Sequence, residues 1–145
     1  MVSGKLTEFA DELGTGANSV ASFQLEQQAV RGRITRLDSA TVGAILGRHN
    51  YPHEVARFLG EALTLAVLIG ASLKVDGRVA VQAQGNGPVS LMVAEFHTNG
   101  ALRGMLRFDQ EKWDRVERVN KGDLPHPRQV FGDGALAITV IQDNE

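Results

Sequence analysis

The stretch that most restricts the fold is "YPHEVARFLGEALTLAVLIGASL", residues 51–73. Pro52 opens a helix there, because at the first helical position its missing N–H costs nothing. Val55, Phe58, Leu59, Ala62, Leu63, Ala66, Ile69 and Leu73 then fall at three- and four-residue steps. Leu65, Val67 and Leu68 fill the opposite side of the second half. A helix apolar all round is buried on more than one side. At about 1.5 Å per residue it is roughly 33 Å long, long enough to be the centre of a core. Its uncharged part, Ala62 to Leu73, is only twelve residues, whereas a bilayer span needs about twenty. Arg57 and Glu61 precede that run on the same helix, so the spacing predicts a buried helix and no membrane crossing.

Strands surround it. "AVRGRITRL" alternates, with Val30, Gly32 and Ile34 on one side and Arg31, Arg33 and Thr35 on the other, the pattern of a half-buried strand. Asp38 or Ser39 can cap a short helix carrying Val42, Ile45 and Leu46. After "VDGR" come three strand-like runs, Arg78 to Gln84, Val89 to Phe96 and Leu102 to Phe108, separated by "GNGP" and "HTNG". Asn99-Gly100 is a strong hairpin signal, because both residues tolerate positive φ. These runs predict an antiparallel meander. "DQEKWDRVERVNKGDLPHPRQVFGDG" reads as polar and turn-rich, and "ALAITVI" as a last strand. The fold class is α+β: a meander sheet packed with one long central helix and short helices.

A chain of 145 residues, 43% apolar and 22% charged, suits one packed domain. Residues 1–20 are rich in small and polar residues and read as a flexible arm; 21–145 form the core. Lys5, Glu8, Asp11 and Glu12 stand where a signal peptide would be apolar, so secretion is not indicated. A net charge of -2 gives no global pull toward nucleic acid. There is no cysteine, which removes disulfides, thiolate zinc sites and thiol nucleophiles. No catalytic residue is assigned.

The chemical motifs are weak. "GNGP" lacks the third glycine and following helix of a dinucleotide loop, since Ser90 stands there before a β-rich run. A hairpin turn is the better reading. The alternative is a small-molecule- or nucleotide-binding enzyme that uses "GNGP" and "FGDG", Phe131 to Gly134, as ligand loops. "HEVAR" has Arg57 where a zinc helix needs its second His, and Pro52 separates His49 from His53. His97 and His126 sit near turns, so no metal site is expected. Arg31, Arg33, Arg36 and Arg48 can hold phosphate but read more simply as solvated charge. Glu61, Asp76, Glu95 and Asp109 show no pairing.

What stands out is apolarity on faces that ought to be wet. In "VSLMVAEF", Leu91 and Val93 point one way, and Met92, Ala94 and Phe96 the other. Met105 interrupts the polar face of the next strand. In "ALAITVI", Leu136, Ile138 and Val140 oppose Ala137, Thr139 and Ile141. A single-layer meander needs one apolar face. The second face implies a third layer, a second subunit, or an apolar surface kept for a partner. Met92, Phe96 and Met105 are the candidate contact residues for such a partner.

"VRGRITRLD", "NYPHEVARFLGEALTLAVLIGASLKVDGR", "VQAQGNGPVSLMVAE", "GALRGMLRF" and "GALAITV" together resemble the N-terminal half of the heat shock protein 33 chaperones, in the family's order and spacing. The resemblance implies an α/β core domain that tends to dimerise, sometimes with exchanged segments, in a cytoplasmic, ATP-independent holdase whose partners are unfolded client proteins. It implies zinc in the full-length protein, held by four cysteines of a C-terminal domain. Oxidation there would expel the zinc and expose apolar surface. None of those cysteines is in this chain, and "IQDNE" falls before the family's core domain is normally complete. The resemblance thus assigns to this chain the client-binding and dimer-forming core, without the thiol switch and without a cofactor of its own.

Overall fold

The computed structural model describes residues 18–144. Strands β1 (Ser19–Gln24) and β2 (Arg31–Arg36) form an antiparallel hairpin, with Phe23 opposite Gly32 and Ala21 opposite Ile34. Helices α1 (Ser39–Leu46) and α2 (His53–Gly70) follow. The main sheet is built from β3 (Gly77–Gly85), β4 (Val89–His97), β5 (Leu102–Phe108) and β6 (Gly134–Gln142). Between β5 and β6 lie α3 (Gln110–Asn120) and α4 (Pro127–Phe131). Its strand order is β5-β4-β3-β6 and every neighbouring pair is antiparallel, so the protein is α+β with the meander the alternation predicts.

α2 is the centre of the core. Val55, Leu59, Ala62, Leu63, Ala66, Val67 and Gly70 are buried along it. They lie against β3, β4 and β5, on the face that carries Val79, Val81, Ala83, Met92, Ala94 and Leu106. Small residues let the helix close on the sheet. A Cβ on Gly104 would meet the side chains of Leu63 and Leu59 at 2.9 and 3.1 Å. On the helix, Gly70 gives its space to the ring of Phe96. Trp113, Val89 and Val130 join the same core.

Three features differ from the sequence reading. The segment read as turn-rich contains α3 and α4. Asp109 caps α3 by accepting from the Lys112 amide at 2.9 Å, and Trp113 anchors it at 1% exposure. Its other positions are mostly polar, so one buried aromatic decides a helix that composition hides. Second, Ser19 and Val20, expected in the arm, begin β1; residues 1–17 lie outside the described ones. Third, the β4–β5 turn uses positive φ only at Gly100 (96°). Asn99 contributes instead through its side chain, whose Oδ1 accepts from the Ala101 amide at 3.0 Å.

Candidate binding surface

The registers decide which way each candidate side chain faces. Met92 stands opposite Ala83 on β3 and Leu106 on β5. Phe96 stands opposite Val79 and Leu102. Both lie on the α2 side. Met92 is buried, and Phe96 packs on the core from its margin. Met105 pairs with Val93 on the other face and is 41% exposed. The three residues therefore do not form one surface. The expectation that Met92 and Phe96 face outward is corrected, because α2 covers the face that carries Ala83, Ala94 and Gly104, where a helix can approach. Leu91 and Val93 turn to the opposite face.

The larger apolar surface lies on β6. Val140, Ile138 and Leu136 pair with Val79, Val81 and Ala83, so they extend the core face by one strand. Their partners are almost fully buried, yet Leu136 is 64%, Ile138 49% and Val140 50% exposed. All nine residues of β6 are exposed. β3 pairs with β6 on one side and β4 on the other, so among the described residues β6 is the edge of the sheet. The two-sided apolar alternation of "ALAITVI" was the sequence signal for this surface. A second apolar groove of about 790 Å³ runs between α1, β2 and α2, floored by Leu37, Val42, Leu46, Leu65 and Leu68.

The two glycine turns do come together, but on each other. The Asn86 amide donates to Asp133 O at 3.2 Å and the Gly87 amide to Phe131 O at 2.9 Å. The Asp133 amide donates to Asn86 Oδ1 at 2.9 Å. A phosphate loop needs free amides, and these are spent inside the chain. A Cβ on Gly87 would meet backbone atoms of Val130, Phe131 and Gly132, so the glycines serve this close approach.

Several titratable groups are likewise engaged structurally. Glu95 lies 2.7 Å from Arg103 and 3.9 Å from Arg78, and Glu61 pairs with Arg57 at 3.2 Å. Asp109 caps α3; Asp76 is engaged through its backbone carbonyl, which accepts from the Asp143 amide at 3.0 Å. His97 Nε2 lies 2.9 Å from Asp143 Oδ2, while its Nδ1 accepts from the Asn99 amide at 3.1 Å. His126 caps α4 by accepting from the Arg128 amide. Among the described residues no three His, Asp or Glu come together as metal ligands, and the sequence offers no thiolate. The residues do not fit a four-cysteine zinc site. Arg31 and Arg33 lie on the exposed face of β2 and Arg36 on the other, so they do not make one basic patch. Asp38 has its carboxyl held below the usual range, first by the Thr41 amide, which donates to it at 2.6 Å, and then by the Thr41 hydroxyl. Among the described residues no helix is long and apolar enough to cross a membrane.

A family model described as "Hsp33 protein" matches residues 18–145. The chain is similar to a "33 kDa chaperonin" of Caulobacter vibrioides, 44% identical over 138 residues, which cover 94% of this chain and 44% of that protein. It is similar also to a "33 kDa chaperonin" of Shewanella loihica, 38% identical over 84% of this chain and 39% of the relative. A third, from Nitrosococcus oceani, is 34% identical over 81% of this chain and 37% of the relative. The chain thus spans well under half the length of these relatives.

Proposed function

This chain belongs to the Hsp33 protein family, and on that premise we propose that it is the client-holding core of a redox-regulated, ATP-independent chaperone. The observation that carries the reading is the row Leu136, Ile138 and Val140, an apolar continuation of the core left open to solvent. Holding a client is burial of its exposed apolar segments, and each Å² removed from water contributes about 25 cal/mol. No bond is made or broken in that act, so no catalytic residue is needed. Met105, exposed on the opposite face, offers an adaptable apolar contact of the same kind; Met92 and Phe96 support the sheet from within. The clients are unfolding or oxidatively damaged proteins, the compartment is the cytoplasm, and two copies associate, with or without exchanged segments. Redox control acts through cysteines and zinc outside these residues, because none of the 145 is a cysteine.

Light scattering of a heat-denaturing client, with and without the chain, tests the reading. Suppressed scattering at equimolar or few-fold excess is expected. If a large excess leaves the scattering unchanged, this portion is not a holdase core.

A further inference from the structure

Asparagine stands directly before glycine twice, at Asn86-Gly87 and at Asn99-Gly100. The pair is chemically reactive. Glycine carries no side chain to hinder its own amide nitrogen when that nitrogen turns onto the neighbouring carboxamide. The fold treats the two pairs differently. At Asn86-Gly87 both reacting groups are bonded to a distant segment. The Gly87 amide donates to Phe131 O at 2.9 Å, and Asn86 Oδ1 accepts from the Asp133 amide at 2.9 Å. The backbones are so close that a Cβ on Gly87 would lie 2.5 Å from Phe131 C. Asn86 is itself exposed, so these bonds, and not burial, hold it. Bringing the Gly87 nitrogen onto Asn86 requires α4 and the start of β6 to move away.

Asn99-Gly100 is the tip of the β4–β5 hairpin. Both residues are exposed, and a Cβ on Gly100 would meet nothing within 4 Å. Thr98 anchors the turn: its amide donates to Gly77 O at 2.9 Å, and its hydroxyl oxygen accepts from the Gly77 amide at 3.0 Å. Past Thr98 the bonds stay within the turn. The Gly100 amide donates to His97 O at 2.8 Å, and the Asn99 amide to His97 Nδ1 at 3.1 Å. The Ala101 amide donates to Asn99 Oδ1 at 3.0 Å. That last bond draws charge from Asn99 Cγ and supports the oxygen as it becomes an oxyanion. The bond from Gly100 to His97 must break, and exposed turns open far more cheaply than packed segments.

We propose that Asn99 is a site of spontaneous deamidation in the folded protein, and that the bonds to Phe131 and Asp133 protect Asn86. Gly100 N gives up its proton and bonds to Asn99 Cγ. The bond from Cγ to Nδ2 breaks, and Nδ2 leaves as ammonia with that proton. The product is a cyclic succinimide. Water then adds to one of its two carbonyls, and the ring opens there to an aspartate at position 99 or to its isomer, whose main chain runs through the side-chain carbons. Nothing is oxidised or reduced, and water is the one co-reactant. Either product places a new carboxylate beside His97. The isomer also lengthens the turn by one backbone carbon, so the Gly100 amide no longer meets His97 O. The contrast between the two sites is set by bonds among residues 77–133 and is independent of the holdase reading.

The chain is incubated at neutral pH in water enriched in heavy oxygen, digested in mild acid and mapped by mass spectrometry, with aspartate and its isomer separated by chromatography. Conversion at Asn99 at least tenfold faster than at Asn86 is expected, with heavy oxygen in the product and the isomer present. In concentrated urea the fold's bonds are gone, and the two rates should come within about threefold of each other. Asn99→Gln should abolish conversion at the turn and leave the circular dichroism unchanged, because the longer side chain would have to close a larger ring. In the converted chain, hydrogen exchange should quicken at Gly100 and Ala101 while α2 keeps its protection. Equal rates at the two sites in the folded chain overturn the proposal. So does an Asn86 that stays tenfold slower in urea, because the contrast then belongs to the local sequence and not to the fold. A product without heavy oxygen overturns the hydrolytic route.

Discussion

Two methionines on adjacent strands show how one register separates a packing role from a surface role. Met92 is 6% exposed in the core, and Met105, one strand away, is 41% exposed on the opposite face. Met92→Ala should destabilise the fold by about 2–5 kcal/mol, the usual cost of emptying a core site of that size. Met105→Ala should stay within about 0.5 kcal/mol, as surface changes do. Urea denaturation of the two variants reads the difference directly. The Asp38 cap makes a second residue-scale prediction. Its carboxyl is held below its ordinary value of 3.8, so the charged form is favoured in the fold. That stabilisation is fully present above pH 3.8 and fades as pH falls through the lowered folded value. Asp38→Ala should therefore lower the melting temperature at neutral pH, and the gap from the unsubstituted chain should close in acid. A gap that stays constant from pH 7 to pH 2 would contradict the cap. The polar and apolar alternation of β2 was legible residue by residue. The inward face of β4 was not, because both of its faces are apolar and only the small residues beneath α2 decide between them.

At the scale of elements, the β3–β4 turn and the approach to β6 form one unit through Asn86, Gly87 and Asp133. Asn86 Oδ1 accepts from the Asp133 amide, and its own amide donates back to Asp133 O. Asn86→Ala should cost about 0.5–1.5 kcal/mol, the net worth of an exposed hydrogen bond, since water can replace the acceptor lost to the Asp133 amide. Hydrogen exchange should then quicken at Asp133 and at the start of β6, while α2 keeps its protection. Equal quickening in α2 would mean that the turn does not hold β6 locally. α2 was legible from its apolar three- and four-residue steps, and the three meander strands from β-rich runs bounded by glycine turns. α2 ends at Gly70 rather than near Leu73, and a turn at Ala71 and Ser72 followed by bends leads on to β3. α3 was hidden because its inward contribution is mainly Trp113 and Val116 among charged neighbours. β1 was hidden because SVASFQ is short and gains its strand character from pairing with β2.

Across the whole molecule, one helix covers a sheet too wide for it. α2 packs on β3, β4 and β5 and leaves the apolar row of β6 in water. Neighbouring exposed Leu136, Ile138 and Val140 offer apolar side chains to solvent, so the chain should bind an environment-sensitive apolar dye. Leu136→Ser with Ile138→Ser should at least halve the dye fluorescence while the far-ultraviolet circular dichroism stays unchanged. Undiminished fluorescence would place the sticky surface elsewhere, with the groove between α1, β2 and α2 the next to test by Leu65→Ser.

By itself the sequence determined that α2 is buried, that five runs form strands, where the main turns fall, and that no thiol chemistry occurs in these residues. Those properties follow from local periodicity, from glycine and asparagine at turns, and from composition. The tertiary structure decided that β6 returns beside β3, that Met92 and Phe96 face the helix while Met105 faces away, and that the glycine turns bond to each other. Pairing between strands some fifty residues apart depends on which faces can come close, and that is a property of the assembled core rather than of any one stretch of chain.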